Sequence, residues 1–546
     1  MSLFIILLFF FSHLMNFPTA PWNSNGLFDD AAWDIYFAKN HIFNGTPFQP
    51  AFFDSVGVIS REVVFHYYIS IFFVLFGYNL LVFNVSLLVL GFITVFFTTF
   101  LIQRLFSNTA IAVLSAIVLN FSPFHFMHIF MGHRYAIVAP LMMVSLYYLY
   151  TAFKNTSFSR AIVSAVFAAL CFGSAIMGKQ YLYGLVLAAL VWWVKNRGQK
   201  RLKEKKAIEA VWVVSFLIAA MPLLIYIGQN YAIYTLRENS LMKQFVFWPN
   251  LRQLGELFFA KHTYLRQFLP GFYLVPLAYY GLIIPGLFLA WRRGRFEIVF
   301  LALVPVVATL VAGSYDFRVL LAAPIWVVCM AFSLNFLLTR GRRRIRSLVS
   351  GLGLGIVGVG LLPSLNYIWV VSRNPNALYL LPHKDVAISR LVQDIVVGAD
   401  KPTDEMKKDE FDRKIDMAMV PYDTLFCPLG AYAIAHVYLQ NYDDKRILAF
   451  CDQGIQLLKT REEILSDNIK AIDNYPLADK DLKLIWEVSD KTTEIIKKFR
   501  VYRQYGFEEE FTGAVDGNRY ALYALTIKNK FIGQFQKEIV WNTSVF

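Results

Sequence analysis

The sequence predicts an α-helical polytopic membrane protein with a soluble α/β domain at its C-terminal end. The 546 residues are 57% hydrophobic and only 16% charged, whereas soluble globular proteins carry about 25% charged residues. The charge balance also changes along the chain. Residues 1–372 contain 28 Lys/Arg and 11 Asp/Glu, and residues 373–546 contain 24 and 27. We therefore expect a membrane domain over 1–372 and a soluble domain over 373–546.

About eleven apolar stretches are candidate membrane spans, because a helix needs about 20 apolar residues to cross the hydrocarbon core. The first has no basic residue before it and Pro21 just after it, so we interpret it as a retained helix and not as a cleaved signal peptide. The eleven stretches are 2–18, 79–102, 109–122, 134–153, 160–176, 181–195, 207–228, 271–291, 296–313, 318–338 and 347–371.

The positive-inside rule orients these spans. Basic clusters at 195–206, 292–295 and 340–346 must be cytoplasmic. One further apolar stretch, 63–77, either spans the membrane or lies in its outer interface. The interfacial position puts 18 of the 28 basic residues of the membrane half in the cytoplasm, so we favour it. The basic surplus lies in these short clusters, which is typical of membrane loops and not of nucleic-acid binding.

This topology leaves two long loops outside, at roughly 18–78 and 229–270. It also places the soluble domain outside the cytoplasm. We expect the membrane itself to be a bacterial inner or plasma membrane. The ionisable residues at the outer ends of the spans are the candidates for chemistry. They are Arg134, Lys179, Arg318 and Asp316, the histidines His125, His128 and His133, and Lys261 and His262 in the second long loop.

The soluble domain has the alternation of strands and helices expected of an α/β domain. We predict strands at 423–427, 446–451 and 520–528, a helix at 429–440, and a loop at 400–416. Cys427 and Cys451 end two of these strands, so the sequence allows a disulfide between them. No spacing of Cys and His indicates a metal site.

The acids of the membrane half are concentrated in the first loop, because five of the eleven lie between residues 29 and 62. Asp29 and Asp30 stand in tandem just after the first span. Charge at this depth costs up to about 3 kcal/mol per group near the bilayer centre, and less at the interface. A helix N-terminus would also favour acids here, since they cap free amides and suit the dipole. A capped helix start is equally a rigid place to mount a catalytic carboxylate.

Three solitary cations at the outer ends of separate spans suggest a phosphate site. Arg134, Lys179 and Arg318 would each also serve as an anchor or as a partner of a carboxylate. Together they form a candidate clamp, because the Arg fork and the compact Lys charge both bind phosphate oxygens. His133, His128, Asp316, Lys261 and His262 are secondary candidates.

The segment DDAAWDIYFAKNHIFNG, residues 29–45, resembles the first-loop signature of GT-C-class glycosyltransferases, which use polyprenyl-phosphate sugars. This superfamily includes protein mannosyltransferases, aminoarabinose transferases and arabinofuranosyltransferases. Three further stretches fit it: HRYAIVAPLMMVSLYYLY, MGKQYLYGLVLAALVWW and GSYDFRVLLAAPIW. Asp30 stands where many relatives carry Glu. The resemblance covers roughly residues 1–371.

The resemblance implies an inverting transfer of a sugar from a polyprenyl-phosphate donor to a lipid, glycan or protein acceptor at the outer face. Asp29 would be the catalytic carboxylate and Asp30 its support, while Arg134, Lys179 and Arg318 would bind the donor phosphate. The mechanism requires no cofactor, although an acid pair and a phosphate could together hold a divalent cation. The partners are the donor, the acceptor and membrane lipids, without nucleic acid.

Two other classes compete with this interpretation. A transporter or lipid flippase would also be multi-pass, but transporters favour paired inverted repeats and polar groups at mid-membrane depth. The ionisable groups here cluster at the outer ends of the spans. A multi-pass scaffold whose soluble domain binds a partner is the third class, and an outer cavity without acids would favour it.

The eleven-span topology predicts that the C-terminal end is extracytoplasmic. A reporter that is active only in the cytoplasm, fused after Phe546, should therefore stay silent. The same reporter fused after Gln199, in the basic 195–206 loop, is the positive control. Strong activity from the Phe546 fusion would contradict the topology.

Overall fold

The structure is a computed structural model of the chain. The residues described are 2–14, 34–35, 38, 64–78, 80–130, 134–174, 177–195, 202–229, 231, 246–261, 271–312, 319, 322–339, 343–373 and five strands between 417 and 527. Contacts divide the chain into two compact units. The first comprises 1–22, 61–72 and 81–380, and the second comprises 23–60, 73–80 and 381–546.

The described part of residues 2–373 is helical. Its α-helices are α1 Ser2–Leu14, α2 Val64–Phe76, α3 Leu80–Phe106, α4 Thr109–Asn120, α5 Pro123–Phe130, α6 Val138–Asn155, α7 Phe158–Phe172, α8 Gly178–Lys195, α9 Leu202–Gln229, α10 Phe247–Phe259, α11 Leu277–Arg292, α12 Phe296–Ala312, α13 Ala323–Thr339 and α14 Arg343–Arg373. A 3₁₀ helix, Arg134–Ile137, leads into α6.

Each of the predicted spans coincides with one of these helices, so the prediction of an apolar helical bundle is confirmed. Among the described residues, four segments are long and apolar enough to cross a membrane: Leu81–Phe106, Arg134–Asn155, Lys206–Gln229 and Ser350–Val370. Six shorter apolar helices accompany them. The chain is therefore a multi-pass membrane protein, while the count of eleven spans stays a prediction.

The second outer loop, predicted as a loop at 229–270, contains the helix α10. The exposed side of this helix carries large aromatic side chains, Phe247 and Trp248. Its inward side is fixed by Asn250, whose Nδ2 donates to the carbonyl of Leu310 at 2.9 Å. Exposed aromatic residues on a short helix are typical of a membrane interface, and the sequence reading overlooked them because the segment is too short to span.

A buried polar network joins four helices of the first unit. Tyr181 of α8 donates to Ser145 Oγ of α6 at 2.8 Å. Ser145 and Ser164 of α7 then exchange hydroxyl–carbonyl hydrogen bonds, both at 2.8 Å. Trp212 of α9 donates from Nε1 to Ser164 Oγ at 2.9 Å. Each donor is satisfied in an apolar interior, where an unmade hydrogen bond would be costly, so the network fixes the register of α6, α7, α8 and α9.

Within residues 381–546 of the second unit, the described residues form a five-stranded sheet. Its strands are β1 Met417–Tyr422, β2 Ile447–Cys451, β3 Leu482–Glu487, β4 Gly506–Val515 and β5 Asn518–Ile527, in the order β2-β1-β3-β5-β4. The strand β1 pairs in parallel with β2 and β3, whereas β5 pairs antiparallel with β3 and β4.

Two of the predicted strands are confirmed, since β2 Ile447–Cys451 and β5 Asn518–Ile527 overlap the predictions at 446–451 and 520–528. The strand predicted at 423–427, the helix at 429–440, the loop at 400–416 and Cys427 lie outside the described residues. The disulfide between Cys427 and Cys451 therefore stays a prediction. The strands β1, β3 and β4 were not predicted. The run Glu508–Glu510 in β4 carries three acids. Because glutamate is uncommon in strands, the composition of this segment does not indicate a strand.

The polar network predicts a measurable difference between two buried serines. Ser164→Ala removes the acceptor of Trp212 Nε1 and should lower the free energy of unfolding by about 1 kcal/mol. Ser115, buried in α4, has no hydrogen-bond partner among the described residues, so Ser115→Ala is the matched control and should be neutral. Thermal unfolding in detergent measures both variants. Equal losses would show that the network does not stabilise the bundle.

Candidate functional site

Two of the three predicted phosphate-binding cations are buried at the beginnings of helices. Arg134 is 2% exposed and Lys179 is 8% exposed. Arg134 opens the 3₁₀ helix before α6, and Lys179 is the second residue of α8. A helix N-terminus already carries about half a positive charge. Cations at these positions therefore add to the dipoles and create an electropositive region that favours an anion.

Arg134 is held in an aromatic environment. Its guanidinium carbon lies 5.4 Å from the ring centroid of Tyr135, and both residues are buried. His125 of α5 is also buried. The 3₁₀ helix packs against both α5 and α6, so this cation is placed by a rigid turn between two helices. Arginine stays protonated at any physiological pH, so the site retains its charge.

Lys179 is placed by an unusually close approach of α7 and α8. A side chain at Gly178 would overlap the backbone carbonyl of Cys171, so only glycine permits this contact. The same carbonyl accepts a hydrogen bond from Ser174 Oγ at 2.7 Å. The beginning of α8 is thereby fixed against the end of α7.

Cys171 contacts the beginnings of both helices that carry the two cations. Its thiol donates to the carbonyl of Val138, at the start of α6, at 3.8 Å, and its own carbonyl faces Gly178. Val138 follows the turn that begins at Arg134, and Gly178 precedes Lys179. The beginnings of α6 and α8 therefore meet at one end of the bundle. Both residues predicted for the phosphate on these helices lie at that end.

The helix that leads into the first loop is tied to the bundle. Asn120, the last residue of α4, donates from Nδ2 to Ser12 Oγ of α1 at 2.6 Å. Ser12 in turn donates to the carbonyl of Phe9 at 2.9 Å. Because α4 packs on α5 and α5 packs on the Arg134 turn, the end of α1 belongs to the same end of the first unit. Sequence reasoning did not select Ser12 or Asn120, although polar residues inside apolar spans were the available signal.

A cavity of about 320 Å³ contains another predicted residue. It is lined by Lys261 and Tyr273, by Pro123 at the start of α5, and by Asn366 and Tyr367 near the end of α14. Lys261 Nζ lies 5.9 Å from the Tyr273 ring centroid. Ligand pockets begin at about 300 Å³, so this cavity is at the lower end of that range. Lys261 lies at its wall, and its role stays a prediction.

Asp34 is the one acid of the first loop that lies among the described residues. Asp34 is helical and fully buried, and ionised carboxylates are almost never buried unless paired. Asp34 belongs to the acidic run 29–34, yet it was not selected as a site residue. Its burial makes it a residue to test alongside the tandem pair.

The remaining predicted side chains lie outside the described part of the chain. The side chain of His128 is not described, although its backbone is in α5. No group of three or more His, Cys, Asp or Glu that could hold a metal occurs among the residues that the structure describes. The predicted residues outside the described part are Asp29, Asp30, His133, His262, Asp316 and Arg318.

This apolar bundle, with cations buried at the beginnings of its helices, has the fold of the GT-C class. Residues 60–226 match the family model described as dolichyl-phosphate-mannose-protein mannosyltransferase. The matched segment includes Arg134 and Lys179 and covers less than half of the chain. The similarity to GT-C glycosyltransferases expected from the first-loop residues is thus confirmed from a different part of the sequence.

Solved structures with this fold include two of ArnT from Cupriavidus metallidurans, one bound to undecaprenyl phosphate and one in the apo state. Each is 12% identical to this chain, covers 95% of it, and gives a TM-score of 0.55. The match covers 98% and 97% of the two ArnT chains, respectively. A search of curated proteins finds no match to this sequence. The structural similarity therefore establishes the fold.

The Gly178–Cys171 contact predicts a specific defect. In Gly178→Ala the new methyl group would force α8 away from α7, which we expect to cost about 1–3 kcal/mol of stability and to displace Lys179. If Lys179 binds the lipid phosphate that the first-loop resemblance implies, binding of a polyprenyl-phosphate lipid should weaken. Gly228→Ala in α9 is the matched control, because nothing lies within 4 Å of its added carbon. Unfolding and lipid titration measure both, and a Gly178→Ala protein with unchanged binding would remove this contact from the site.

Proposed function

We propose that this protein transfers a sugar, with inversion, from a polyprenyl-phosphate donor to an acceptor at the outer face of the membrane. The observation that carries the proposal is the pair of buried cations, Arg134 and Lys179, at the beginnings of helices within the segment that matches the mannosyltransferase family model. The fold shared with ArnT bound to undecaprenyl phosphate supports a lipid phosphate as the anion.

The cations would act on the leaving group. As the bond between the anomeric carbon and the phosphate oxygen breaks, the electron pair stays on the phosphate, which becomes a monoester dianion. Arg134 and Lys179, joined by Arg318, would stabilise this growing charge. Such preorganised charges act most strongly in a site that excludes water. Because the charge is larger in the transition state than in the bound donor, these contacts would raise kcat as well as affinity.

The acids would act on the acceptor. The acceptor hydroxyl attacks the anomeric carbon from the side opposite the phosphate, so configuration inverts. Its proton passes to the carboxylate of Asp29, with Asp30 as the supporting group. General-base catalysis of this kind contributes about 10²–10⁴ in rate. These steps need no cofactor. A divalent cation between the acid pair and the donor phosphate is the one addition that the residue types would accommodate.

The location follows from the basic loops. With 195–206, 292–295 and 340–346 in the cytoplasm, Arg134 and Lys179 lie at the outer ends of their helices. The same orientation makes the domain at 373–546 an extracytoplasmic α/β domain on a bacterial inner or plasma membrane, in a chain of about eleven spans. Pairing of β1 and β2 in parallel supports the α/β assignment, since parallel neighbours require a crossover connection. The acceptor is a lipid, a glycan or a protein on that face.

The proposal predicts different effects for the two tandem acids. Asp29→Asn keeps the size and the hydrogen bonding but loses the base, so turnover should fall by about two or more orders of magnitude. Donor affinity should stay or improve, because a carboxylate repels a nearby phosphate. Asp30→Asn should be milder. Turnover and donor binding of both variants are compared with those of Asp54→Asn, which changes another acid of the same loop.

The outcomes separate the roles. An active Asp29→Asn with an inactive Asp30→Asn would transfer the role of base to Asp30. Full activity in both would remove the tandem acids from the mechanism, and Asp34→Asn would then test the buried acid of the run.

A further inference from the structure

A second basic site lies at the C-terminal ends of α3 and α6. The cations Arg134 and Lys179 lie elsewhere, at the beginnings of α6 and α8. A cavity of about 200 Å³ opens there, lined by Phe100, Gln103, Arg104, Ser107 and Lys154. The positive-inside rule places this end in the cytoplasm. The proposed transfer at the outer face does not use any of these residues.

Tyr150 brings the cations of three segments together. The ammonium of Lys154, one turn further along α6, lies 5.8 Å from the ring centroid of Tyr150. The guanidinium carbon of Arg295, from the turn between α11 and α12, lies 4.9 Å from the same centroid. The hydroxyl of Tyr150 donates to the backbone carbonyl of Arg104 at 3.2 Å. One aromatic ring thus organises basic residues from α3, α6 and the α11–α12 turn.

The α11–α12 turn supplies a fourth cation. Arg293 lies 6.0 Å from the ring centroid of Phe106 and 5.6 Å from that of Phe332. Gly294 has a φ of +70°, the left-handed conformation that favours glycine. This turn lets Arg293 reach the end of α3 while Arg295 reaches Tyr150.

The charges at this end do not balance. Four cations, Arg104, Lys154, Arg293 and Arg295, lie around Tyr150 and Phe106, and Glu297 lies 3.6 Å from Arg295. The negative C-terminal ends of α3 and α6 are offset by the positive N-terminal ends of α4 and α7, which follow them directly. A positive surplus therefore remains, and Arg104 and Lys154, which line the cavity, are exposed. If these cations served only to anchor each helix at the membrane interface, they would not need to lie around one cavity.

Gln103 adds a second requirement on the ligand. Its Nε2 donates to Thr109 Oγ1 at 3.3 Å, while its buried Oε1 has no hydrogen-bond partner among the described residues. A ligand hydroxyl would satisfy this acceptor. The cavity thus matches a group that carries both a negative phosphate and a hydroxyl.

We propose that this cavity binds the headgroup of an anionic phospholipid of the cytoplasmic leaflet, with the phosphodiester on Arg104 and Lys154 and a headgroup hydroxyl on Gln103. Basic pockets between helices on the cytoplasmic side suit such headgroups. Phosphatidylglycerol has both the charge and the hydroxyls. Its phosphate ester would lie at the interface, where Phe100 offers an apolar wall to the glycerol backbone.

Native mass spectrometry of the detergent-solubilised full chain, titrated with phosphatidylglycerol or phosphatidylcholine, tests the proposal. Each Lys or Arg near a membrane surface contributes about 1 kcal/mol, or about fivefold in affinity. The double variant R104Q/K154Q should therefore bind phosphatidylglycerol about 25-fold more weakly, whereas R104K/K154R should retain binding. The matched control is R160Q/K206Q, which removes two cations of the same face that do not line the cavity.

Three results would overturn the proposal. The first is that phosphatidylcholine binds the unmodified chain as tightly as phosphatidylglycerol. The second is that R104Q/K154Q loses no more affinity for phosphatidylglycerol than R160Q/K206Q. The third is that inorganic phosphate displaces phosphatidylglycerol, which would make this a site for free phosphate. If the double variant failed to fold, K154Q alone, at an exposed position, should still show the fivefold loss, and its absence would reject the proposal equally.

Discussion

The cost of holding a charge in apolar surroundings is the constraint on which this structure depends. Arg134 and Lys179 are buried in a bundle made chiefly of apolar helices, and burying a charge is costly unless it is paired and hydrogen-bonded. The protein fixes them at the beginnings of α6 and α8 through Cys171, and a network of Tyr181, Ser145 and Ser164 sets the helix register beneath them. Under the proposed function, this rigid end of the bundle binds the donor phosphate.

The two ends of the bundle use their cations differently. At one end the cations are few, buried and attached to rigid backbone turns, which suits a reaction in which charge develops on a leaving phosphate. At the other end Arg104 and Lys154 are exposed and share a cavity with polar side chains, which suits a bound ligand that does not react. The buried cations therefore have the proposed catalytic role, and the exposed cations have the proposed lipid-binding role.

Much of the bundle could be predicted from the sequence, because apolar runs and basic loops are local signals. The spans, the strands β2 and β5, and the cations at helix beginnings were all readable in this way. The contact of Gly178 with Cys171, the pairing of Ser12 with Asn120 and the cavity beside Lys261 were not, because each joins residues far apart in sequence. The helix α10 was missed because it is too short to span, and β4 because its acids obscure the alternation. The roles of Asp29, Asp30, Arg134, Lys179 and Arg318 all rest on the resemblance and on chemical argument.

The central claim is that the bound lipid phosphate is a leaving group. The most direct measurement incubates purified protein with a panel of radiolabelled polyprenyl-phosphate sugars and follows lipid phosphate and transferred sugar together. The account predicts that one donor yields the two products in equal amounts, and that the product sugar has the opposite anomeric configuration to the donor. If no donor is consumed, but the intact lipid-linked sugar crosses the membrane of vesicles that contain the protein, the chain is a flippase and the account is contradicted.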